Sequence, residues 1–296
     1  MRSISFIFAH HKSDKWSTPL AVVNEFKSLG WKTSIHSLFD KNQDYTDENV
    51  HKLLKTKPDI IMHMDWGQHQ SVLLSQLRST GAFLVMESGD DPQRFNDNLL
   101  KAQYFDLILS PDAPSTARYR ELGINAYWWN HFADTRVYKP LSVEPKYAAV
   151  CSRGMNRSAP IIDQIAKKLP YDVCNQNGWV GDEHNTFLNS GKIVLQQSKH
   201  GEITRRIFEG MAAGRLVLTD RLNSSRRIDE LFVENQEIVY YNNEMDCVNK
   251  IEYYCSNDVE RERIALNGYR KVIENHTVKQ RVEFIIWYWQ NFKSHK

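Results

Sequence analysis

KIVLQQSKHGEITRRIFEGMAAGRLVLTDR, residues 192–221, is the stretch on which the fold turns. An apolar strand, KIVLQQ, runs into a polar loop carrying Lys199, His200 and Gly201. A helix starts near Ile203 or Thr204. Its small residues Gly210, Ala212, Ala213 and Gly214 let it lie close to its neighbours, and Gly214 stops it ahead of the strand RLVLT. The helix front offers free N–H groups and the positive end of a dipole, which favour a diphosphate. Arg205 and Arg206 add fixed charge with bidentate geometry. Glu209, one turn further in, has the reach to accept from both hydroxyls of a ribose. The same pattern also occurs in α/β proteins that bind no nucleotide sugar.

Outward from this stretch, short apolar runs alternate with amphipathic segments, as in β-α units stacked around a parallel sheet. Before it, strands are expected at Ile4 to Ala9, Thr33 to Leu38, Asp59 to Met64, Phe83 to Met86, Leu107 to Leu109 and Ala126 to Trp129. The first helix runs from about Pro19 to Leu29 with Thr18 as N-cap and Gly30 just past its end. The next is capped by Thr46 or Asp47. FADTRVYKPLSVEP, residues 132–145, has two prolines and neither period, and reads as a linker. Alternation restarts with a strand at Tyr147 to Cys151 and a helix at Ala159 to Leu169, and helices from about Glu244 finish the chain. The expected architecture is α/β with two Rossmann-like domains, residues 1–138 and 139–296, facing across a cleft. The C-terminal helix is expected to pack on the protein body, with the N-terminal domain as one place for it.

The 296 residues hold 38 basic and 36 acidic side chains, a formal charge of +2 that calls for no polyanion partner. Cys151, Cys174, Cys247 and Cys255 form no C-x-x-C pair, which argues against a zinc knuckle or disulfide scaffold and for a reducing, cytoplasmic setting. No apolar run approaches the roughly 20 residues that span a bilayer. A phosphate-binding G-x-x-x-x-G-K-[ST], a G-x-G-x-x-G after the first strand, a G-x-S-x-G elbow and a metal-binding D-x-D are all missing. Kinase, dehydrogenase and hydrolase readings lose ground accordingly.

EITRRIFEGMAAGRLVLTDR resembles the signature of retaining GT-B glycosyltransferases of the group-1 superfamily, and within it the CgeB-type branch. ESGDDPQRF (87–95), the DLILSPD run, WWNHFADTRVYKP and NGYRKVIENHTVKQRVEFII (267–286) resemble the same branch. The resemblance implies a GT-B fold with the donor held mainly by the second domain and the acceptor by the first. It implies sugar transfer from a nucleotide-diphosphate donor, with retention and without a metal or other cofactor. It places Glu209 on the donor ribose. Family members space two glutamates as E-x7-E. Here six residues separate Glu202 from Glu209, so Gly201 or Glu202 takes the first place. Arg157, Lys199, Arg205 and Arg206 are the candidates against the diphosphate, with Gly201 and Thr204 at the helix front.

On the acceptor side, His11 follows the first strand beside His10 and Lys12. Glu87, Asp90 and Asp91 end a strand, where an aspartate orients or deprotonates an acceptor hydroxyl or caps a helix beginning at Pro92. Asp65, His131 and Asp134 are further polar candidates, and Trp66, Trp128 and Trp129 read as packing. Two other functions fit the pattern: a nucleotide-sugar epimerase of the same fold, and a non-catalytic sugar-nucleotide-binding module. The acceptor is open among a small molecule, a polysaccharide, a protein and a modified DNA base.

Overall fold

The computed structural model describes residues 1–8, 16–37, 47–64, 71–153, 159–169 and 172–293. Chain contacts divide it into two compact units, residues 1–130 with 282–296 and residues 131–281. The first holds β1 (Ser3–Ile7), α1 (Thr18–Ser28), β2 (Lys32–His36), α2 (Asp47–Thr56), β3 (Ile60–His63), α3 (Ser71–Arg78), β4 (Phe83–Glu87), α4 (Phe95–Ala102), β5 (Leu107–Ser110), α5 (Ala113–Glu121) and β6 (Ala126–Trp128). The second begins with β7 (Tyr147–Arg153), α6 (Pro160–Lys168), β8 (Val173–Asn177), α7 (Gly181–Asn189), β9 (Gly191–Gln196) and α8 (Arg205–Ala212). It continues with β10 (Leu216–Asp220), β11 (Val239–Tyr241), α9 (Glu244–Ser256) and α10 (Asp258–Asn275), and α11 (Val278–Lys293) closes the chain.

Each unit is built on a parallel sheet, in the order β2-β1-β3-β4-β5-β6 in the first and β11-β10-β9-β7-β8 in the second. β3 is buried along its length: Ile60, Ile61 and Met62 are covered on both faces, and His63 at its end is buried too. The first core gathers Ile7, Ile61, Leu84, Met86 and Ile108 with Leu53, Leu74 and Leu77 from the helices. The second gathers Ala149, Ile193, Leu195, Leu216 and Leu218 with Ile162, Ile165, Ile251 and Ile264. Gly210 lets α8 lie on its sheet: a Cβ there would stand 2.9 Å from Val194 Cγ1 and 3.0 Å from Val217 Cγ2.

Two local expectations change. The N-cap of α1 is Ser17, whose Oγ accepts from the Leu20 N–H (3.2 Å), and Thr18 is already helical. Pro92 does not open a helix, since α4 starts at Phe95. The chain ahead of it is held in turns by the Asp91 carboxylate, which accepts from Ser88 Oγ (2.7 Å), Ser110 Oγ (2.8 Å) and Asn98 Nδ2 (3.0 Å). Residues 282–296 group with the first unit. There Trp289 meets Trp31 edge-on, Phe292 packs on Phe83, and Phe284 packs on Tyr127. No helix among the described residues is long and apolar enough to cross a membrane.

The segment 132–145, read as linker, is irregular but belongs to the second unit and is tied down within it. Ala133 bridges to Thr277. Asp134 accepts from Arg136 Nε (2.8 Å) and Nη2 (3.1 Å). Asn185 and Asn189 of α7 accept from the Lys139 and Leu141 N–H groups, and Asn189 Nδ2 donates to the Lys139 carbonyl.

Candidate active site

β9 is buried from Ile193 to Gln196 and delivers the chain to the carboxyl edge of the second sheet, where open α/β sheets take their ligands. The loop that follows is fixed by side chains of its own neighbourhood. Ser198 donates to Asp220 at the end of β10 through its N–H (2.8 Å) and its hydroxyl. Glu202 Oε2 accepts from the His200 N–H (2.6 Å) and so closes the turn. Gly201 sits at φ +69°, a left-handed conformation that a side chain would strain. Lys199 is exposed.

Thr204 is the N-cap residue of α8, but its side chain makes no capping bond. It is 4% exposed, and its Oγ1 has no hydrogen-bond partner among the described residues. The first turn of α8 has no acidic residue. Arg205 and Arg206 stand there instead, against the usual preference of a helix N-terminus for negative charge. This front is incomplete in the sense that an anion would relieve it.

Glu209 lies one turn in and is 2% exposed. Its Oε1 accepts from Arg205 Nε (2.9 Å), and its Oε2 is 3.7 Å from His184 Nδ1. The Tyr138 hydroxyl is hydrogen-bonded to the same Nδ1 at 2.9 Å. Burial alone would push the Glu209 carboxyl up, but the groups around it, Arg205 first, outweigh it and hold it below the ordinary range. Burial, with the two arginines, keeps His184 below the usual histidine range against the pull of Glu209. The carboxylate that the sequence assigns to a ribose is therefore engaged by protein groups in this structure.

A cleft of about 520 Å³ opens beside β10 and β11, lined by Ile161, Gln197, Asp220, Arg221, Asn223 and Tyr241, among others. Four of its lining residues are engaged by protein partners. Asp220 holds Ser198, Arg221 pairs with Glu234, Gln197 Oε1 accepts from the Ile161 N–H, and the Tyr241 hydroxyl donates to the Gln196 carbonyl.

The structure thus collects Lys199, Gly201, Glu202, Thr204, Arg205, Arg206 and Glu209 on the segment from β9 to α8. Asp90 and Asp91 belong to the first unit. Asp91 is 3% exposed and fully engaged, with burial raising its pKa. Asp90 sits beside it at φ +59° and is half-buried. Trp128 Nε1 donates to the Pro111 carbonyl. His11, Arg157, Asp65 and Trp66 lie outside the described residues. Tyr138 and His184 were missed by sequence reading. One sits in an aperiodic segment and the other on a polar helix, and nothing local links either to Glu209.

Residues 157–286 match the model of a family described as glycosyl transferase-like. Among solved structures, a glycosyltransferase from Rickettsia africae aligns at TM-score 0.71 and 11% identity, covering 100% of this chain and 99% of that one. HepE of Anabaena in complex with UDP aligns at TM-score 0.66 and 12% identity, over 98% and 100% of the two chains. The sucrose-phosphate synthase of Thermosynechococcus elongatus aligns at 0.66 and 9%, over the whole of both. The fold is GT-B. No curated protein shows significant sequence similarity. The glycosyl transferase-like match takes in all of α8 and the loop before it, so the uncapped helix front of this GT-B chain lies inside the matched domain.

Proposed function

We propose that this chain transfers a glycosyl group from a nucleoside-diphosphate sugar, with the diphosphate seated at the front of α8. The observation that carries the reading is that helix front. The buried Thr204 hydroxyl lacks a partner among the described residues, no acidic residue caps the turn, and two arginines crowd a positive dipole end. A diphosphate supplies the missing acceptors and the missing charge. Uridine diphosphate is the proposed leaving group, because the similar HepE structures hold UDP and UDP-glucose.

In the proposed step, the bond between the anomeric carbon and the β-phosphate oxygen breaks while a bond to an acceptor hydroxyl oxygen forms. The acceptor proton passes to the departing phosphate on the same face, so configuration is retained. Arg205, Arg206 and the α8 dipole take the charge developing on the diphosphate, so the proposed reaction is independent of metal. Asp90, on the turn that Asp91 anchors, is the proposed acceptor-side carboxylate. Lys199 and Arg157 are proposed as further cations along the diphosphate.

The test is a melting-temperature and calorimetry panel of UDP, GDP, ADP and dTDP, followed by turnover of UDP-sugars with and without EDTA. UDP is expected to raise the melting temperature, and Arg206→Ala to weaken its binding at least about tenfold. EDTA is expected to leave turnover unchanged, and Asp90→Asn to lower transfer without altering UDP affinity. Failure of all four nucleotides to bind would overturn the proposal. Epimerisation of the donor without an acceptor would replace transfer by the second enzymatic reading.

A further inference from the structure

The buried Glu209 carboxylate accepts from Arg205 Nε of its own helix (2.9 Å) and lies 3.7 Å from His184 Nδ1 of α7, which is itself hydrogen-bonded to the Tyr138 hydroxyl from the segment ahead of β7 (2.9 Å). A carboxylate this deeply buried stays ionised only if such partners compensate for its lost hydration. Resting on the reading of α8 as the donor site, we infer that Tyr138 and His184 are positioning residues, which hold the Glu209 carboxylate as an oriented anion beneath Arg205. The guanidinium is thereby fixed at the helix front before any ligand arrives.

The Tyr138 hydroxyl and His184 Nδ1 are hydrogen-bonded at 2.9 Å, with the donor set by the imidazole tautomer. His184 Nε2 is buried with no partner among the described residues, so the bond to Tyr138 is the one that orients the ring. That orientation sets the Nδ1 edge 3.7 Å from Glu209 Oε2. Arg205 Nε donates to the other carboxylate oxygen, Oε1, at 2.9 Å. The pair restricts an arginine side chain that is 28% exposed.

A purely structural role, pinning residues 138–141 to α7, is already filled. Asn185 and Asn189 make three hydrogen bonds to the backbone of Lys139 and Leu141. The Tyr138 hydroxyl adds one further tie to α7, the one that ends beside Glu209, while its ring packs edge-on against His184 whether or not the hydroxyl is present.

Two readouts on the full chain test the inference. The first is a carboxyl-carbon NMR titration of Glu209, which needs no ligand. Tyr138→Phe and His184→Leu are each expected to raise the Glu209 pKa by about one unit. His184→Asn, whose amide reaches the Nδ1 position, is expected to restore most of the wild-type value. The second readout is UDP affinity. Tyr138→Phe should weaken it about tenfold, as for loss of one buried hydrogen bond, and should add no further loss in a Glu209→Gln background. An unchanged Glu209 titration in both variants, or losses that multiply in the double variant, would overturn the inference. Should Tyr138→Phe fail to fold, the His184→Leu and His184→Asn pair decides. If the wild type binds no UDP, the proposed donor site fails while the titration still decides the network.

Discussion

Thr204 carries a cost that the unliganded fold does not recover, since its hydroxyl is buried and has no acceptor among the described residues. Replacing such a group with an apolar isostere removes the desolvation penalty. Thr204→Val is therefore expected to raise stability by about 1 kcal/mol in urea unfolding and to weaken UDP binding in calorimetry. Equal affinity in the two proteins would remove the hydroxyl from the donor site. Arg205, Arg206 and Glu209 were legible in the sequence because a single helix spaces them, and helical periodicity is local. Tyr138 and His184 were not, because their mutual hydrogen bond joins positions 46 residues apart. Residue type helped little. The Asp91 carboxylate, a candidate base by position, is spent on Ser88, Ser110 and Asn98.

At the scale of elements, α8 was readable almost to the residue, and its small residues act as expected. Gly210→Ala would press a methyl group against the stiff branched side chains of Val194 and Val217. Overpacking of this kind costs about 1–3 kcal/mol, only partly offset by a helix-propensity gain of about 1 kcal/mol. A net fall in the urea midpoint is expected, with its slope unchanged. β8, α7 and β11 escaped the sequence reading for separate reasons. β8 is an edge strand whose later residues are exposed, so no apolar run marks it. β11 has three residues. α7 buries His184, Asn185 and Asn189, which grip the chain ahead of β7 and break the apolar period by which a helix is recognised.

For the molecule as a whole, two buried histidines, one in each unit, tie stability to pH. Burial, with Lys101 nearby, pulls the His63 pKa down to about 3, and burial, with Arg281 and Lys271, pulls His276 down to about 3. The unfolded chain takes up these protons near pH 6.5, while the folded chain refuses them until about 3. Stability is thus fully present above about pH 6.5 and falls with acidification by about 1.4 kcal/mol per pH unit for each group. His63→Leu is expected to flatten the pH dependence of urea unfolding for the first unit between pH 6.5 and 4; an unchanged slope would contradict the burial of His63. By itself, the sequence determined the two parallel β-α units, the helix with its arginines and glutamate, and the irregular segment ahead of β7. All of these follow from periodicity and turn chemistry within a few tens of residues. Tertiary structure alone decided that Asp91 is an internal anchor, and that Glu209 lies beside His184 and not in solvent. The partner of a buried charge is chosen by desolvation in three dimensions, and a linear pattern carries no record of which distant side chain will be there.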